Sequence, residues 1–311
     1  MNPFGPLIRL VPAGLRPLLV PSRPASGQAR RLAEILDVDA GRLDSIRMGP
    51  RFHYRPFTIA KPDGRERRLL APSPALKRLQ RKLLHNYLAR LPVHPCATAY
   101  YPGASTVLNA RPHARSGLIA TVDLRDFFES TGATRVRRFF VKEGWRDESL
   151  QTLMRLCVFR DGLPQGAPTS PCLSNLANVR LDERLQDLAR RAGAFYTRYG
   201  DDLTFSWASD HMPSGFLHAV EDVLGAEGYE IQPRKGWRVT LISDRPLVTG
   251  LVLAGDGRLR VPWALRLRMC RLRWRSWWSA GADASAKLRG YQGYVQMVNR
   301  TNSTSKCRPP H

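Results

Sequence analysis

Two neighbouring carboxylates, Asp201 and Asp202, occupy a short turn between two strand-like segments of the chain. Tyr199 and Gly200 open the turn, an apolar segment precedes it, and apolar and polar residues alternate over residues 203–207. This pattern on both sides of a tight turn predicts a β-hairpin. A hairpin tip with two carboxylates can hold a divalent metal ion, although paired acids are also common on solvated turns.

A third carboxylate, Asp123, ends a matching apolar segment over residues 118–122. Two strands that each end in acidic residues bring three carboxylates together when they lie side by side. Two-metal phosphoryl transfer uses such a cluster, because the ions clamp the attacking and leaving oxygens of the substrate. A few carboxylates suffice for Mg²⁺, since it keeps several waters and takes further ligands from substrate phosphates. The pattern predicts Asp123, Asp201 and Asp202 as catalytic ligands of two Mg²⁺ ions.

These residues resemble the palm of a reverse transcriptase. Asp123 matches the first palm motif of that family, and residues 199–202 match its signature turn. Between them, residues 162–171 match the loop-to-helix motif of the family, in which a glycine lets the backbone approach the nucleotide. The resemblance makes Gln165 and Gly166 nucleotide-binding candidates. The three motifs follow one another in the order and at the spacing of the family.

The resemblance implies an RNA-directed DNA polymerase with an α+β right-hand fold, which consists of fingers, an antiparallel-sheet palm and a small helical thumb. The alternation of strands and helices around an acid-bearing hairpin also favours an α+β palm over a doubly wound parallel sheet. We expect a proline-rich arm and N-terminal helices over residues 1–48, fingers and palm over residues 49–258, and the helical thumb over residues 259–311.

The charge of the chain indicates a polyanionic partner. Its 311 residues include 49 Lys and Arg against 26 Asp and Glu, a formal net charge of +23. The basic residues occur along the whole length, which predicts a positively charged channel along a folded body. No apolar run approaches the roughly 20 residues of a spanning helix, so a membrane is not expected as a partner.

The N-terminal segment and the cysteines indicate the cytoplasm. The first 24 residues are apolar but interrupted by six prolines and by Arg9 and Arg16, which excludes a signal-peptide core and favours a loosely packed arm. Five widely spaced cysteines without a Cys-x-x-Cys pair exclude a zinc knuckle and a disulfide framework. A reducing compartment fits these features best.

A basic hairpin is predicted ahead of the first acid-bearing strand. Strand-like runs over residues 57–60 and 67–70 flank a Lys-Pro-Asp-Gly turn. In reverse transcriptases this hairpin is the fingers tip that closes on the triphosphate of the incoming nucleotide. By position, Lys61 and Arg67 are the candidates for that contact. In the alternative interpretation, these exposed charges serve only solubility.

Apolar residues at helical or strand spacing predict the remaining elements. One long helix is expected over residues 170–191, ending at Gly193, and one hairpin is expected over residues 247–261. The other predicted elements are two short helices over residues 28–47, helices starting at residues 74, 136, 150 and 216, a strand over residues 237–242, and two C-terminal helices over residues 265–278 and 285–298.

The first of the C-terminal helices mixes basic and aromatic residues, among them Arg271 and Trp274. Such a surface suits contact with a nucleic-acid duplex. Alternatively, the tryptophans form the core of a helical hairpin and only the arginines face solvent. Both interpretations suit a thumb.

Two short motifs resemble those of bacterial retron reverse transcriptases, in the group II intron-like branch of the family. Asn109 and His113 belong to an Asn-Ala-x-x-His motif ten residues before Asp123, and Val248, Thr249 and Gly250 form a Val-Thr-Gly motif. With Arg271 and Trp274, these five residues are the RNA-binding candidates. His113 could instead brace the loop before the first palm strand.

The retron resemblance covers roughly residues 28–300 and implies a specific activity. Such enzymes fold a cognate noncoding RNA, prime from the 2'-hydroxyl of an internal guanosine in it, and copy part of it into DNA from deoxynucleoside triphosphates. The product is a branched RNA–DNA molecule. Retron enzymes commonly act with an effector protein in anti-phage defence.

Two further nucleotide-binding candidates follow from the same resemblance. Phe128, five residues after Asp123, matches the bulky side chain beneath the nucleotide sugar that excludes a 2'-hydroxyl, whereas Phe127 is expected in the core. Lys235 matches the lysine that protonates the leaving pyrophosphate. Gln232 and Gly236, which flank Lys235, depart from the usual family pattern. The backbone conformation around Lys235 therefore stays open at this point.

Two alternatives remain on the sequence. The chain could be another bacterial reverse transcriptase, of the group II intron, diversity-generating or abortive-infection type. It could also be a catalytically inactive nucleic-acid-binding module that keeps the fold. The three intact carboxylates argue against an inactive module, because negative charge beside a phosphate backbone weakens binding. The sequence leaves open the RNA, the effector and the oligomeric state.

Overall fold

The computed structural model describes residues 27–49, 53–60, 64, 66–278 and 282–304, with side chains omitted over 275–284 and beyond 302. The proline-rich segment and Lys61 lie outside these residues. The helices are α1 (Gly27–Leu36), α2 (Arg42–Met48), α3 (Pro74–Asn86), α4 (Thr106–Ala110), α5 (Phe127–Ser130), α6 (Ala133–Lys142), α7 (Asp147–Cys157), α8 (Ser170–Leu176), α9 (Val179–Arg191), α10 (Phe216–Ala226), α11 (Trp263–Trp278) and α12 (Ala282–Thr304). The strands are β1 (Tyr54–Ala60), β2 (Glu66–Pro72), β3 (Leu118–Asp123), β4 (Ala194–Tyr199), β5 (Asp202–Trp207), β6 (Arg238–Leu241), β7 (Leu247–Val248), β8 (Leu251–Leu253) and β9 (Leu259–Arg260).

The centre of the molecule is an antiparallel sheet with strand order β4-β5-β3-β6. Its core side packs against α9 and α10, with Leu185 of α9 and Val220 of α10 fully buried. Phe205 of β5 lies in this core, 4.9 Å from the ring of Tyr196 and 5.2 Å from that of Phe216. The predicted α+β class and the acid-bearing hairpin are confirmed, because β4 and β5 pair antiparallel.

The N-terminal region forms a helical layer and a separate hairpin. Helices α1, α2, α3, α6 and α7 share one apolar core that includes Leu36, Leu83 and Phe140. Strands β1 and β2 pair antiparallel, as predicted from the turn between them. The hairpin is joined to the body where the Leu70 amide donates to the Gln165 carbonyl at 2.8 Å.

The helix predicted over residues 170–191 is two helices, α8 and α9, with a break at Ala177 and Asn178. Asn178 is fully buried, and its side chain donates to the Ser174 carbonyl at 2.9 Å. Its Oδ1 accepts from Arg135 and from the Tyr229 hydroxyl, both at 2.9 Å. The buried Asn178 amide thus satisfies polar groups from three parts of the chain. The helix is interrupted at this residue because its side chain is held by these partners.

The hairpin predicted over residues 247–261 is a three-stranded sheet with order β7-β8-β9. The extra turn lies at Thr249 and Gly250, whose φ angles are +45° and +80°. Helix α12 packs on this sheet through Val298, and the Asn302 side chain bonds both backbone groups of Leu259 at 3.0 and 2.9 Å. Within the described ranges, no helix has both the length and the apolar character needed to cross a membrane.

Candidate active site

The central sheet brings the three acidic residues to one edge. In the register of β3 and β5, Asp123 lies directly opposite Asp202. The β4–β5 register pairs Tyr199 with Asp202, so that Gly200 and Asp201 form the tip of the turn. The Leu124 amide donates to the Asp201 carbonyl at 2.9 Å and ties the tip to the end of β3. The juxtaposition predicted from two separate segments is therefore present.

The charges of these carboxylates are strongly coupled. Burial raises the pKa of Asp202 to about 8, with further contributions from a hydrogen bond with Asp123 and from the charges of Asp201 and Asp123. Burial and the charge of Asp123 also raise the pKa of Asp201. For Asp123, hydrogen bonds from Asp202 and Lys235 outweigh burial and lower the pKa. Burial and the neighbouring charges thus disfavour ionisation of Asp201 and Asp202.

This donor set suits a hard divalent cation. Carboxylate oxygens are the ligands that Mg²⁺ prefers, and a bound cation would offset the repulsion between the neighbouring carboxylates. Among the described residues, no three His, Cys, Asp or Glu side chains are already grouped closely enough to form a metal site. A metal ion would therefore need oxygens from water and substrate phosphates in addition to the carboxylates, as is usual for Mg²⁺.

Lys235 reaches this site from the turn that precedes β6. Its Nζ donates to Oδ1 of Asp123. The Gln232 amide donates to the Asp123 carbonyl at 2.8 Å, and Gly236 adopts a φ of +56°. The residues that depart from the family pattern thus form a tight turn that directs Lys235 towards the carboxylates. Lys235 neutralises one of them in this structure.

A buried ion pair lies behind the turn. Arg198 of β4 donates from Nη2 and Nε to the two carboxylate oxygens of Asp182, at 2.6 and 2.8 Å. Its Nη1 donates to the Gly200 carbonyl at 3.3 Å and to Asn175 at 3.2 Å. Burial opposes the charge, but Asp182 more than offsets it and raises the pKa of Arg198. This pair was not predicted from the sequence, where its signal is an arginine inside an otherwise apolar strand.

Three aromatic rings line the approach to the turn. Phe128 is half-buried, and its ring centroid is 6.0 Å from that of Tyr100. Tyr100 in turn lies 6.3 Å from Tyr199. Burial, followed by the charge of Asp201, raises the pKa of Tyr100 to about 12. Phe127 is buried and stacks on Tyr229, so its predicted place in the core is confirmed.

The loop before α8 packs against the β1–β2 hairpin. Gly166 has a φ of +124°, and a Cβ at this position would lie 2.7 Å from the Leu70 carbonyl oxygen. Glycine is therefore required here by the backbone of β2, and not only by a nucleotide as the sequence suggested. Gln165 is half-buried, and Arg67 of β2 is exposed and close enough for its charge to act on Asp201. Lys61 lies outside the described residues.

Asn109 and His113 are fully buried. The His113 ring nitrogens lie 2.6 Å from the Ser206 hydroxyl and 2.8 Å from the Thr197 hydroxyl. Burial lowers the pKa of His113 to about 3, so the ring is neutral at physiological pH. Asn109 accepts from the Thr98 hydroxyl at 2.7 Å. The prediction that Asn109 and His113 contact RNA directly is corrected, because the His113 side chain bonds β5 and β4 and the Asn109 side chain bonds Thr98 and Thr249.

The Val-Thr-Gly motif belongs partly to the same interior. Val248 is buried in the core beneath the three-stranded sheet β7-β8-β9, so its side chain cannot contact RNA directly. The Thr249 hydroxyl donates to the Thr106 carbonyl at 3.1 Å and lies 3.5 Å from the Asn109 amide. Gly250 is exposed. The two retron-like motifs are therefore in contact, and they connect the three-stranded sheet β7-β8-β9 to the segment before β3.

The C-terminal candidates lie at the surface. Arg271 is exposed, and Trp274 is 66% exposed. The alternative in which the tryptophans form a helical core is wrong for Trp274, whereas the side chains of Trp277 and Trp278 lie outside the described residues. The exposure of Arg271 and Trp274 is compatible with contact with a ligand.

Comparison with known proteins agrees with this geometry. The family model described as reverse transcriptase (RNA-dependent DNA polymerase) matches residues 59–241, more than half of the chain. The chain is 38% identical over 234 residues to the retron Mx162 reverse transcriptase of Myxococcus xanthus. The aligned region covers 66% of this chain and 48% of that protein. It is 36% identical over 210 residues to the retron Ec86 reverse transcriptase of Escherichia coli. Here the aligned region covers 66% of this chain and 64% of the relative.

A third relative is the retron Mx65 reverse transcriptase of Myxococcus xanthus, 34% identical over 266 residues, 79% of this chain and 62% of that protein. The matches thus span between about half and two thirds of the lengths of these three relatives. Together with the sheet edge that carries Asp123, Asp201 and Asp202, the family match leads to one conclusion. The chain belongs to the reverse transcriptase family, and retron reverse transcriptases are among its relatives.

Proposed function

We propose that this protein is an RNA-directed DNA polymerase of the retron type, which copies part of a cognate noncoding RNA into single-stranded DNA from a 2'-hydroxyl primer. The observation that carries the proposal is the register of the central sheet, which sets Asp123 opposite Asp202 and beside Asp201. The family match and the retron relatives support the polymerase activity and the choice of template.

In this proposal Asp123 and Asp201 hold both of two Mg²⁺ ions, and Asp202 is the weaker contributor. The ions supply activation of the primer hydroxyl and neutralisation of charge on the leaving pyrophosphate. Lys235, which contacts Asp123, leaves that carboxylate when the substrate binds and donates a proton to the pyrophosphate. Arg67 and Lys61 bind the triphosphate, and Gln165 and Gly166 border the nucleotide.

We assign the β1–β2 hairpin to the fingers, the central sheet to the palm, and α11 and α12 to the thumb. The proposed domains are the N-terminal region over residues 1–48, the catalytic core over residues 49–258 and the thumb over residues 259–311. The net charge of +23 suits an RNA template and its DNA copy. Exposed Gly250, Arg271 and Trp274 are the proposed RNA contacts.

The proposal extends to a cytoplasmic location and an effector protein in anti-phage defence, which the resemblance of the sequence motifs to retron enzymes implies. The nucleic acid that copurifies with the protein tests the retron assignment. Sequencing of that material from wild-type protein should give one noncoding RNA joined through a 2'-linkage to single-stranded DNA. Protein with Asp201→Asn should carry the same RNA without DNA. Recovery of unbranched or unrelated nucleic acid from wild-type protein would contradict the retron assignment.

A further inference from the structure

Tyr100 adopts a backbone conformation that is unfavourable for its side chain. Its φ angle is +65°, in the left-handed region that bulky residues rarely occupy. Such strain persists only where the surrounding structure enforces it, and strained residues concentrate at active sites and ligand clamps. Tyr100 as a whole is also 38% exposed, so the strain does not serve to bury the residue fully.

The position of the ring links two parts of the proposed nucleotide site. Its centroid lies 6.0 Å from that of Phe128, which is expected to act as a steric gate by excluding a 2'-hydroxyl, and 6.3 Å from that of Tyr199 at the start of the acidic turn. The rings of Phe128, Tyr100 and Tyr199 thus form a continuous row. Tyr100 is the middle member and supports Phe128 from the side of the carboxylates.

The hydroxyl end of Tyr100 lies on the turn itself. An ideal Cβ on Gly200 would be 2.5 Å from the Tyr100 hydroxyl oxygen and 3.1 Å from Cζ. Gly200 also has a φ of +68°, and this backbone conformation favours glycine independently of the contact with Tyr100. The side chain at position 100 and the missing side chain at position 200 are therefore sterically matched.

We propose that Tyr100 is a second substrate-contacting residue, whose exposed ring, together with Phe128, lies against the sugar of the incoming nucleotide and sets the preference for deoxyribonucleotides. The proposal rests on the proposed polymerase function. Because Tyr100 supports Phe128 laterally, its removal frees space beneath the sugar and lets the Phe128 ring move away. A ribonucleotide then fits with less steric conflict at its 2'-hydroxyl.

Single-nucleotide incorporation measures this preference as the ratio of kcat/KM for a deoxynucleotide to kcat/KM for the matching ribonucleotide. The chief variant is Tyr100→Gly, because glycine tolerates the left-handed backbone and the variant is expected to fold. We expect the ratio to fall about tenfold or more, which is the lower range that a steric contact in a pocket supplies. Tyr100→Phe keeps the ring and should keep the ratio.

Tyr101→Ala is the matched control, since Tyr101 is half-buried and, within the described residues, stacks on no other ring. Its ratio should equal that of the wild type. An unchanged ratio in an active Tyr100→Gly enzyme overturns the proposal and leaves Phe128 as the gate. An equal loss of deoxynucleotide and ribonucleotide incorporation also overturns it, because it would mean that Tyr100 only packs the turn. An inactive wild-type enzyme instead overturns the proposed polymerase function.

The match between positions 100 and 200 gives a second measurement. Gly200→Ala should impair incorporation, partly through the clash with the Tyr100 hydroxyl. Adding Tyr100→Gly removes that clash, so the double variant should incorporate deoxynucleotides faster than Gly200→Ala alone. Strictly multiplicative effects of the two substitutions would show that the residues do not touch in solution and would remove Tyr100 from the site.

Discussion

The ion pair of Arg198 and Asp182 holds the acidic turn from behind, and its loss is expected to lower both stability and DNA synthesis. Both side chains are 0% exposed, and Nη2 of Arg198 lies 2.6 Å from Oδ2 of Asp182. The same guanidinium donates to the Gly200 carbonyl at 3.3 Å. Arg198→Met keeps much of the side-chain length but leaves the Asp182 carboxylate buried without its cation.

The expected magnitude follows from the cost of an uncompensated buried charge. Removing one partner of a buried ion pair costs about 3–5 kcal/mol. Since the free energy of unfolding of a domain is about 5–15 kcal/mol, Arg198→Met should lose a large part of it. The double variant Arg198→Met with Asp182→Leu carries no buried charge at this site and should recover most of the loss.

Urea unfolding and primer extension on the same preparations separate stability from positioning. The double variant should recover stability but synthesise DNA more slowly than wild type, because the hydrogen bond to Gly200 is still missing. Arg190→Met is the matched control, since Arg190 pairs with Asp187 at the surface, where the side chains are 79% and 57% exposed. Its effect on the free energy of unfolding should stay within about 0.5 kcal/mol.

Two results would refute this reasoning. If Arg198→Met destabilises the protein no more than Arg190→Met, the buried pair does not support the fold. If the double variant recovers full synthesis together with stability, the bond from Arg198 to Gly200 has no part in positioning the turn.

Three further variants test other parts of the molecule. His113 is neutral when folded and has a pKa of about 3, against 6.5 as its ordinary value, so the unfolded state binds the extra proton. The contribution of neutral His113 to the free energy of unfolding is complete above pH 6.5 and falls by about 1.4 kcal/mol per pH unit below that value, down to the folded pKa. His113→Gln should therefore flatten the pH dependence of the free energy of unfolding, measured with urea between about pH 5 and 7. Phe128→Ala should raise ribonucleotide incorporation in primer extension, and incorporation no better than wild type would place the gate elsewhere. Arg271→Ala with Trp274→Ala should weaken RNA binding in filter-binding assays and reduce its salt dependence, while an unchanged dissociation constant would remove α11 from the RNA interface.

The parts of the site that depend on local pattern could be predicted from the sequence. Alternating residues on both sides of a tight turn define the hairpin with Asp201 and Asp202, and an apolar run ending in Asp123 defines the neighbouring strand. Turn residues likewise define the β1–β2 hairpin. Each of these signals lies within a few residues of the feature that it predicts, so tertiary packing does not override it.

The features that the sequence did not predict depend on contacts between distant segments. Asn109 and His113 look like polar surface residues, but in the fold His113 bonds hydroxyls of β4 and β5 and Asn109 bonds the Thr98 hydroxyl. The break at Asn178 depends on Arg135 and Tyr229, which lie 43 and 51 residues away along the chain. A pattern of residue types within one segment carries no information about such partners.

The central claim is that Asp123, Asp201 and Asp202 form the catalytic centre of a DNA polymerase. Primer extension with Mg²⁺ on an RNA template tests it most directly, with Asp201→Asn compared with Asp187→Asn, an exposed aspartate of α9. The account predicts that Asp201→Asn abolishes DNA synthesis while RNA binding stays nearly intact, and that Asp187→Asn behaves as wild type. Sustained synthesis by Asp201→Asn at physiological magnesium would contradict the account.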